Sequence, residues 1–273
     1  MAAIDPSARV ADGARIGNGV EIGPYCLVGP DVELKDGVRL IGQVNVSGVT
    51  TIGEGTVVYP FASLGTPPQS VHYRGEPTKL VIGPHCQIRE GVTMNTGTVA
   101  GGGITRVGER GFFMVSSHVA HDCDIGDGVT FANNAVVGGH VSIGDNVFLG
   151  GNAAVHQFVR IGEGVMLGGL SGAPTDVIPF SFAFGQIATL AGLNVVGLRR
   201  RGASRADLRR LRDAYRALFH GDGVFAERID KVAIAFVGDP LVQKVIAFIR
   251  AGGKRPLMHP AALAAEDGEA DGL

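Results

Sequence analysis

Residues 119–161 read VAHDCDIGDGVTFANNAVVGGHVSIGDNVFLGGNAAVHQFVRI, and every sixth position is apolar and bulky: Val119, Ile125, Phe131, Val137, Ile143, Leu149, Val155 and Ile161. The same step runs back through Phe113 to Val107 and forward to Leu167 and Ala173. It also fills the N-terminal part, from Ile4 through Val10, Ile16 and Ile22 to Val58 and Leu64, and resumes at Ile82, Ile88 and Met94. A period of six suits neither a strand nor a helix, whose side-chain periods are 2 and 3.6. It suits a coil with three short flat faces, in which the aliphatic residue and a small residue four positions later point inward. Three hexapeptides close one 18-residue coil, and coils stack by parallel pairing roughly 4.8 Å apart. The chain therefore reads as an all-β solenoid, a parallel β-helix of hexapeptide repeats.

Two interruptions break the count, near 65–79 and 95–106, the second shifting the phase by one residue. Loops that leave a rigid solenoid are natural places for a binding site. The segment Val177 to Leu198 carries no charge but is punctuated by Pro179, Gly185, Gln186, Gly192 and Asn194, a poor membrane span. It reads as a buried irregular connection. Helix signals follow: Ser204 with Asp207 three residues on, then Leu208, Leu211, Tyr215 and Leu218 on one face. Further helices are predicted over 225–236 and from Asp239-Pro240 to Gly252. The expected organisation is a β-helix over 1–185, a helical domain over 186–262 and a loose tail over 263–273.

The 273 residues carry 24 basic and 26 acidic side chains, so no general affinity for nucleic acid is implied. Glycine is abundant, at 43 residues, without the period of collagen, which points to many tight turns. No secretion signal opens the chain, and the three cysteines do not look paired, which favours the cytoplasm. Cys26, Cys86 and Cys123 each lie four residues after a repeat aliphatic, the small inward slot, so all three read as packing thiols. An acyl-enzyme on Cys123 is the minor alternative.

Folding the histidines onto the coil aligns them. His121, His140 and His156 fall two, three and one residues after the equivalent positions Val119, Val137 and Val155, with His118 alongside. Gly139 follows His121 by 18 residues, one coil away. Three readings compete. An imidazole fixed by Asp122 can act as a general base, with the Gly139 amide receiving the oxyanion of an acyl transfer. Three histidines can instead hold zinc, or simply occupy turns.

The segments around these histidines resemble the UDP-N-acetylglucosamine 3-O-acyltransferases of lipid A biosynthesis. The resemblance is carried by 117–123 (SHVAHDC), Ala132-Asn133-Asn134-Ala135, Gly138-Gly139-His140-Val141 and Ala154-Val155-His156-Gln157-Phe158. It extends to Gly75-Glu76-Pro77-Thr78, to Gly97-Thr98 with Gly101-Gly102-Gly103, and to the run from Asn194 to Gly202. It implies a left-handed β-helix and a cytoplasmic homotrimer with sites between subunits. The implied reaction moves a (3R)-3-hydroxyacyl group from acyl carrier protein to the 3-hydroxyl of UDP-N-acetylglucosamine. The acyl group arrives on phosphopantetheine, with no other cofactor and no metal. His121 matches the family's base, Asp122 its orienter and Gly139 its oxyanion donor. Gln69, His118, His140, Gln157, Asn194, Arg200 and Arg201 match substrate contacts, and His72 and His156 are expected beside them. Met166 and Gly169 match the acyl channel. Ile187 stands where some members close that channel with histidine.

Departures keep other outcomes open. Ser70 and His72 replace an Asp and a Lys beside the sugar, so a 3-amino sugar, acylated to an amide, is the rival acceptor. Val196 replaces an acidic residue, which removes one uridine contact. A zinc enzyme like the γ-type carbonic anhydrases and an inert scaffold are the rivals of other classes. Arg199, Arg200, Arg201, Arg205, Arg209, Arg210, Arg212 and Arg216 face only Asp207 and Asp213, a surface suited to an acidic carrier protein. Arg200 and Arg201 can alternatively grip the pyrophosphate.

Overall fold

A hexapeptide leaves two residues for a strand and four for a corner. The computed structural model, which describes residues 1–261, is built that way along most of its length. Strand Thr130–Phe131 pairs in parallel with Phe112–Phe113 before it and Phe148–Leu149 after it. Partners are thus 18 residues apart, and the coil expected from the sequence is the coil observed. Three sheets result among the described residues, with 11, 9 and 8 strands. The first face runs from Ala3–Ile4 to Met166–Leu167, the second from Arg9–Val10 to Gly172–Ala173, and the third from Arg15–Ile16 to Arg160–Ile161.

The second residue of each strand points inward, and from Ile22 onward these residues are buried. So are the residues four positions on, among them Cys26, Val32, Val129, Val147 and Val165. The core is therefore a column of stacked aliphatics, each coil covering the one below, and burial of this apolar surface is what holds the prism together. The outward residues differ by face. The third face presents Arg15, Glu33, Arg106, Asp124 and Arg160, whereas the upper coils present Phe112, Phe148 and Met166 on the first face and Val136 and Ala154 on the second.

Both insertions leave the prism at one corner. The first joins Ser63–Thr66 of the second face to Lys79–Ile82 of the third, and the next joins Thr93–Asn95 to Ile104–Val107 across the same corner. Gly65, Thr66, Lys79 and the residues from Ile104 belong to strands, so each loop is shorter than the sequence suggested. Buried Asn95 anchors the root of the first loop, donating to the carbonyls of Thr66 and Pro67.

The boundary expected at 185/186 falls inside a hairpin. Ser181–Phe184 continues the first face in parallel, and Thr189–Leu193 turns back antiparallel to it. The uncharged stretch read as irregular therefore contains a β-hairpin, and Gly185 (φ +123°) permits its reversal. A short helix α1 (Val195–Arg200), absent from the sequence reading, follows directly. Helices α2 (Arg205–His220), α3 (Phe225–Ala235) and α4 (Pro240–Ala251) then form a small bundle. The Ser204–Asp207 capping box and the Asp239 cap before Pro240 are both present. After α4 the chain returns to the prism, where Leu257 pairs with Asp176 and Pro260 with Leu190. The tail expected over 263–273 lies outside the described residues. Among the described residues no helix is long and apolar enough to cross a membrane.

Candidate active site

The corner that carries both insertions also carries His121, Asp122, Gly139 and His140. Asp122 and His140 occupy the same step of successive coils and both adopt left-handed backbone, with φ of 60° and 61°. The turn thereby aims two polar side chains at one spot. His121 Nδ1 lies 2.8 Å from Asp122 Oδ2. Asp122 is buried, its side chain 1 % exposed, and its orientation is fixed from three sides. Thr98 of the second insertion donates its N–H to Oδ1 and its hydroxyl to Oδ2, both at 2.6 Å, and the Asp122 N–H donates to Thr105 Oγ1 at 2.8 Å. With Asp122 accepting a hydrogen bond from the Nδ1–H, Nε2 of His121 is left as the free base. His121 keeps 16 % of its side chain accessible, enough for a substrate to reach it.

Two glycines make the arrangement possible. A Cβ on Gly139 would sit 2.5 Å from His121 Cε1, so the imidazole lies directly against that backbone. A Cβ on Gly101 would sit 2.1 Å from Asp122 Cγ, so the insertion can close over the carboxylate only because that residue is glycine. The Gly139 N–H donates to no acceptor among the described residues, whereas its carbonyl accepts from Phe158 N–H at 3.0 Å. A base and an uncommitted amide therefore share one corner on adjacent coils.

His140 stands edge-on to His121, centroids 5.1 Å apart, and its Nε2 is 3.7 Å from Asp122 Oδ2. Burial holds its pKa below the ordinary 6.5; Asp122 works against that shift while His121 and Lys254 add to it. His118 lies on the second face rather than in the corner, with Nδ1 2.7 Å from Thr93 Oγ1. Its pKa is also lowered, again chiefly by burial. His156 and Gln157 are exposed, and His156 Nδ1 faces Arg255 Nη2 at 2.8 Å. The three-histidine zinc set considered from the sequence does not assemble among the described residues, because His156 does not converge with His121 and His140. The donors that do converge, within 4.8 Å among the described residues, are His121, Asp122 and His140. Both oxygens of that carboxylate already accept protein hydrogen bonds, with Oδ2 shared between Thr98 and His121. Cys123 is buried at the same corner and donates to Gly138 O at 3.2 Å, and burial pushes its thiol up to about 12. Such a thiol supplies no nucleophile near neutral pH.

Of the remaining candidates, only those on the first insertion share this corner. Gln69 and His72 are exposed on the first insertion. Asn194 caps α1, accepting from Gly197 N–H and donating to Gly164 O at 3.0 Å. The Arg201 guanidinium rests on Gly164, where burial lowers its pKa, and Arg200 is exposed in the last turn of α1. Gly164 belongs to the corner between the third and first faces. Met166 points outward from the first face, and Gly169 is at the corner between first and second. Ile187, 79 % exposed, borders a 250 Å³ cavity with Ala154, His156 and Pro174. One protomer thus distributes the candidates over three corners. Sequence reasoning missed Thr98 and Thr105 as partners of Asp122, and Thr93 as the partner of His118. Gly97-Thr98 was visible as a motif, but no periodicity assigns its side chain.

An accessible histidine held by a buried carboxylate and set against an unbonded amide, on the corner of a hexapeptide β-helix, is the equipment of a group-transfer enzyme. Residues 176–258 match the family model described as Udp N-acetylglucosamine O-acyltransferase, domain 2. The acyl-[acyl-carrier-protein]--UDP-N-acetylglucosamine O-acyltransferase of Azorhizobium caulinodans is 61 % identical over 95 % of this chain and 96 % of its own length. That of Caulobacter vibrioides is 56 % identical over 84 % and 88 %. The crystal structure of UDP-N-acetylglucosamine O-acyltransferase from Moraxella catarrhalis superposes with a TM-score of 0.91 at 38 % identity, covering 94 % of this chain and 99 % of that one. The chain belongs to the acyl-[acyl-carrier-protein]--UDP-N-acetylglucosamine O-acyltransferase family.

Proposed function

We propose that the protein transfers a (3R)-3-hydroxyacyl group from acyl carrier protein to the 3-hydroxyl of UDP-N-acetylglucosamine, the first step of lipid A biosynthesis, in the cytoplasm. One observation carries this reading: His121, oriented by buried Asp122, lies against Gly139, whose N–H is uncommitted. His121 Nε2 removes the proton of the sugar hydroxyl as its oxygen attacks the thioester carbonyl. The oxyanion of the tetrahedral intermediate accepts from the Gly139 N–H. Collapse breaks the carbon–sulfur bond, and His121 returns the proton to the leaving pantetheine thiolate. Burial lowers the pKa of His140 beside this base, which favours its neutral form.

The scattered candidates support a closed trimer. If the first face of each copy packs on the second face of the next around a three-fold axis, the corner of His121 meets the neighbour's corner of Asn194 and Arg201. Exposed apolar side chains on those faces, Phe148 and Val136 among them, suit such a seam, whereas the third face is charged. Gln69, His72, His118, His156 and Gln157 would then hold the sugar, with Arg200 and Arg201 on the pyrophosphate. The acyl chain would run along the seam past Met166 and Gly169 toward Ile187. Arg199, Arg205, Arg209, Arg212 and Arg216 line a 380 Å³ groove and offer a docking surface for the acidic carrier. Arg210 is not free for this role, being held by Asp207 and Asp239.

Mass spectrometry of the product from 3-hydroxyacyl carrier proteins of mixed length decides the reading. UDP-N-acetylglucosamine and its 3-amino analogue are offered together, and the expected product is the ester. Preferential amide formation would contradict it and point to Ser70 and His72 as the cause.

A further inference from the structure

The segment that follows α4 returns to the active corner and is pinned there. Asp176 N–H donates to Pro256 O and Met258 N–H to Asp176 O, both at 2.8 Å. Arg160, paired with buried Asp176 at 2.7 Å, reaches Phe248 O at 3.3 Å from the other side. Gly253 is wedged against that pair; a Cβ there would lie 2.4 Å from Asp176 Oδ2 and 2.6 Å from Arg160 Nε. The strap so fixed carries two cations to the coils above His121. Arg255 donates to Gln157 O at 3.0 Å and faces His156 Nδ1. Lys254 Nζ stands 4.4 Å from the centroid of the Phe158 ring. Phe158 in turn stacks on His140, centroids 4.5 Å apart and planes within 8°.

We propose that Lys254 is a positioning residue for the acyl transfer: brought in by the strap, it caps the Phe158–His140 column and holds the His140 ring beside His121. Phe158 occupies left-handed backbone (φ 66°), the same corner step as Asp122 and His140, so the column is built into the winding of the prism. The cation prefers the face of the ring. Clamped there, Phe158 cannot tilt, and the imidazole beneath it keeps its edge toward His121. The electrostatic consequence has a definite sign. The charged groups facing His140 are Asp122 and His121 from its own corner and Lys254 from the strap. Asp122 favours its protonated form, and Lys254 opposes it.

The kinetic half of this inference rests on the proposed function; the titration half does not. Lys254→Met keeps the apolar stem and removes the charge. In the intact protein labelled with 13C-histidine, the His140 titration midpoint should rise by about 0.5 pH. The acid limb of the acyl-transfer pH profile should move the same way, with the thermal midpoint nearly unchanged. Lys254→Arg should restore both midpoint and limb. In a Phe158→Leu background, Lys254→Met should move the His140 midpoint less, because the ring that holds the cation over the imidazole is gone. An unmoved His140 midpoint in Lys254→Met alone overturns the proposal, as does a midpoint that moves while the acid limb stays. If the unaltered protein transfers no acyl group to either sugar, the proposed function fails, and the titration still reads the column by itself.

Discussion

Asp122 has almost no freedom: Thr98, Thr105 and His121 account for its oxygens and its N–H, and Gly101 closes over its carboxylate. In the proposed reaction its role is to fix one tautomer, so Asp122→Asn should lower kcat far more than it raises KM. His121→Ala should cost about 10²–10⁴-fold in kcat; unchanged turnover would place the chemistry elsewhere. Gly139→Ala forces a methyl into the imidazole of His121 and should lose activity with little change in thermal midpoint. Cys123→Ala should retain activity, and no acyl-enzyme should accumulate without sugar. Chelation with EDTA should leave the rate unchanged, whereas stoichiometric zinc lost together with activity would favour the metal reading of His121, Asp122 and His140. His118 and His140 also set a pH dependence of stability. Both have folded pKa values below the ordinary 6.5, so the unfolded chain binds more protons as pH falls through that region. The thermal midpoint should therefore drop on acidification below about 6.5, and His140→Gln should flatten that drop. The histidine alignment was legible in the sequence because it follows from counting by 18. Thr98 was not, since a hydroxyl in an insertion has no phase.

At the scale of elements, the two insertions matter more than their irregularity suggests. Both cross from the second face to the third, so both open at the corner of His121, and the second supplies the threonine that holds Asp122. Thr98→Val should thus imitate a mild form of Asp122→Asn, with partial rescue by Thr98→Ser. The helical end divides differently. α2 is capped by a reciprocal Ser204–Asp207 box, and Ser204→Ala should lower stability by about 1 kcal/mol, with transfer unaffected at saturating carrier. These caps, the helix limits of α3 and α4 and the two-residue coil strands were readable from local pattern. The hairpin of Ser181–Phe184 with Thr189–Leu193 and the short α1 were not. Their uncharged residues lack any period, and pairing against the last coil decided their conformation.

Over the whole molecule, winding does two things at once. It brings residues 18 apart to the same corner, and it keeps the three corners of one prism separate. His121 and Arg201 therefore cannot serve one substrate within a single protomer, which is why the proposed function requires a trimer. Sequence reading implied a trimer only through family resemblance, because symmetry leaves no mark in the repeat. The most direct test mixes two inactive variants, His121→Ala and Arg201→Ala, by co-expression. Random mixing in a closed trimer restores a native His121 corner opposite a native Arg201 in about a quarter of the seams, so transfer should return well above either variant alone. Activity that stays at the level of the single variants, in mixed trimers verified by mass, would contradict a site shared between neighbouring subunits.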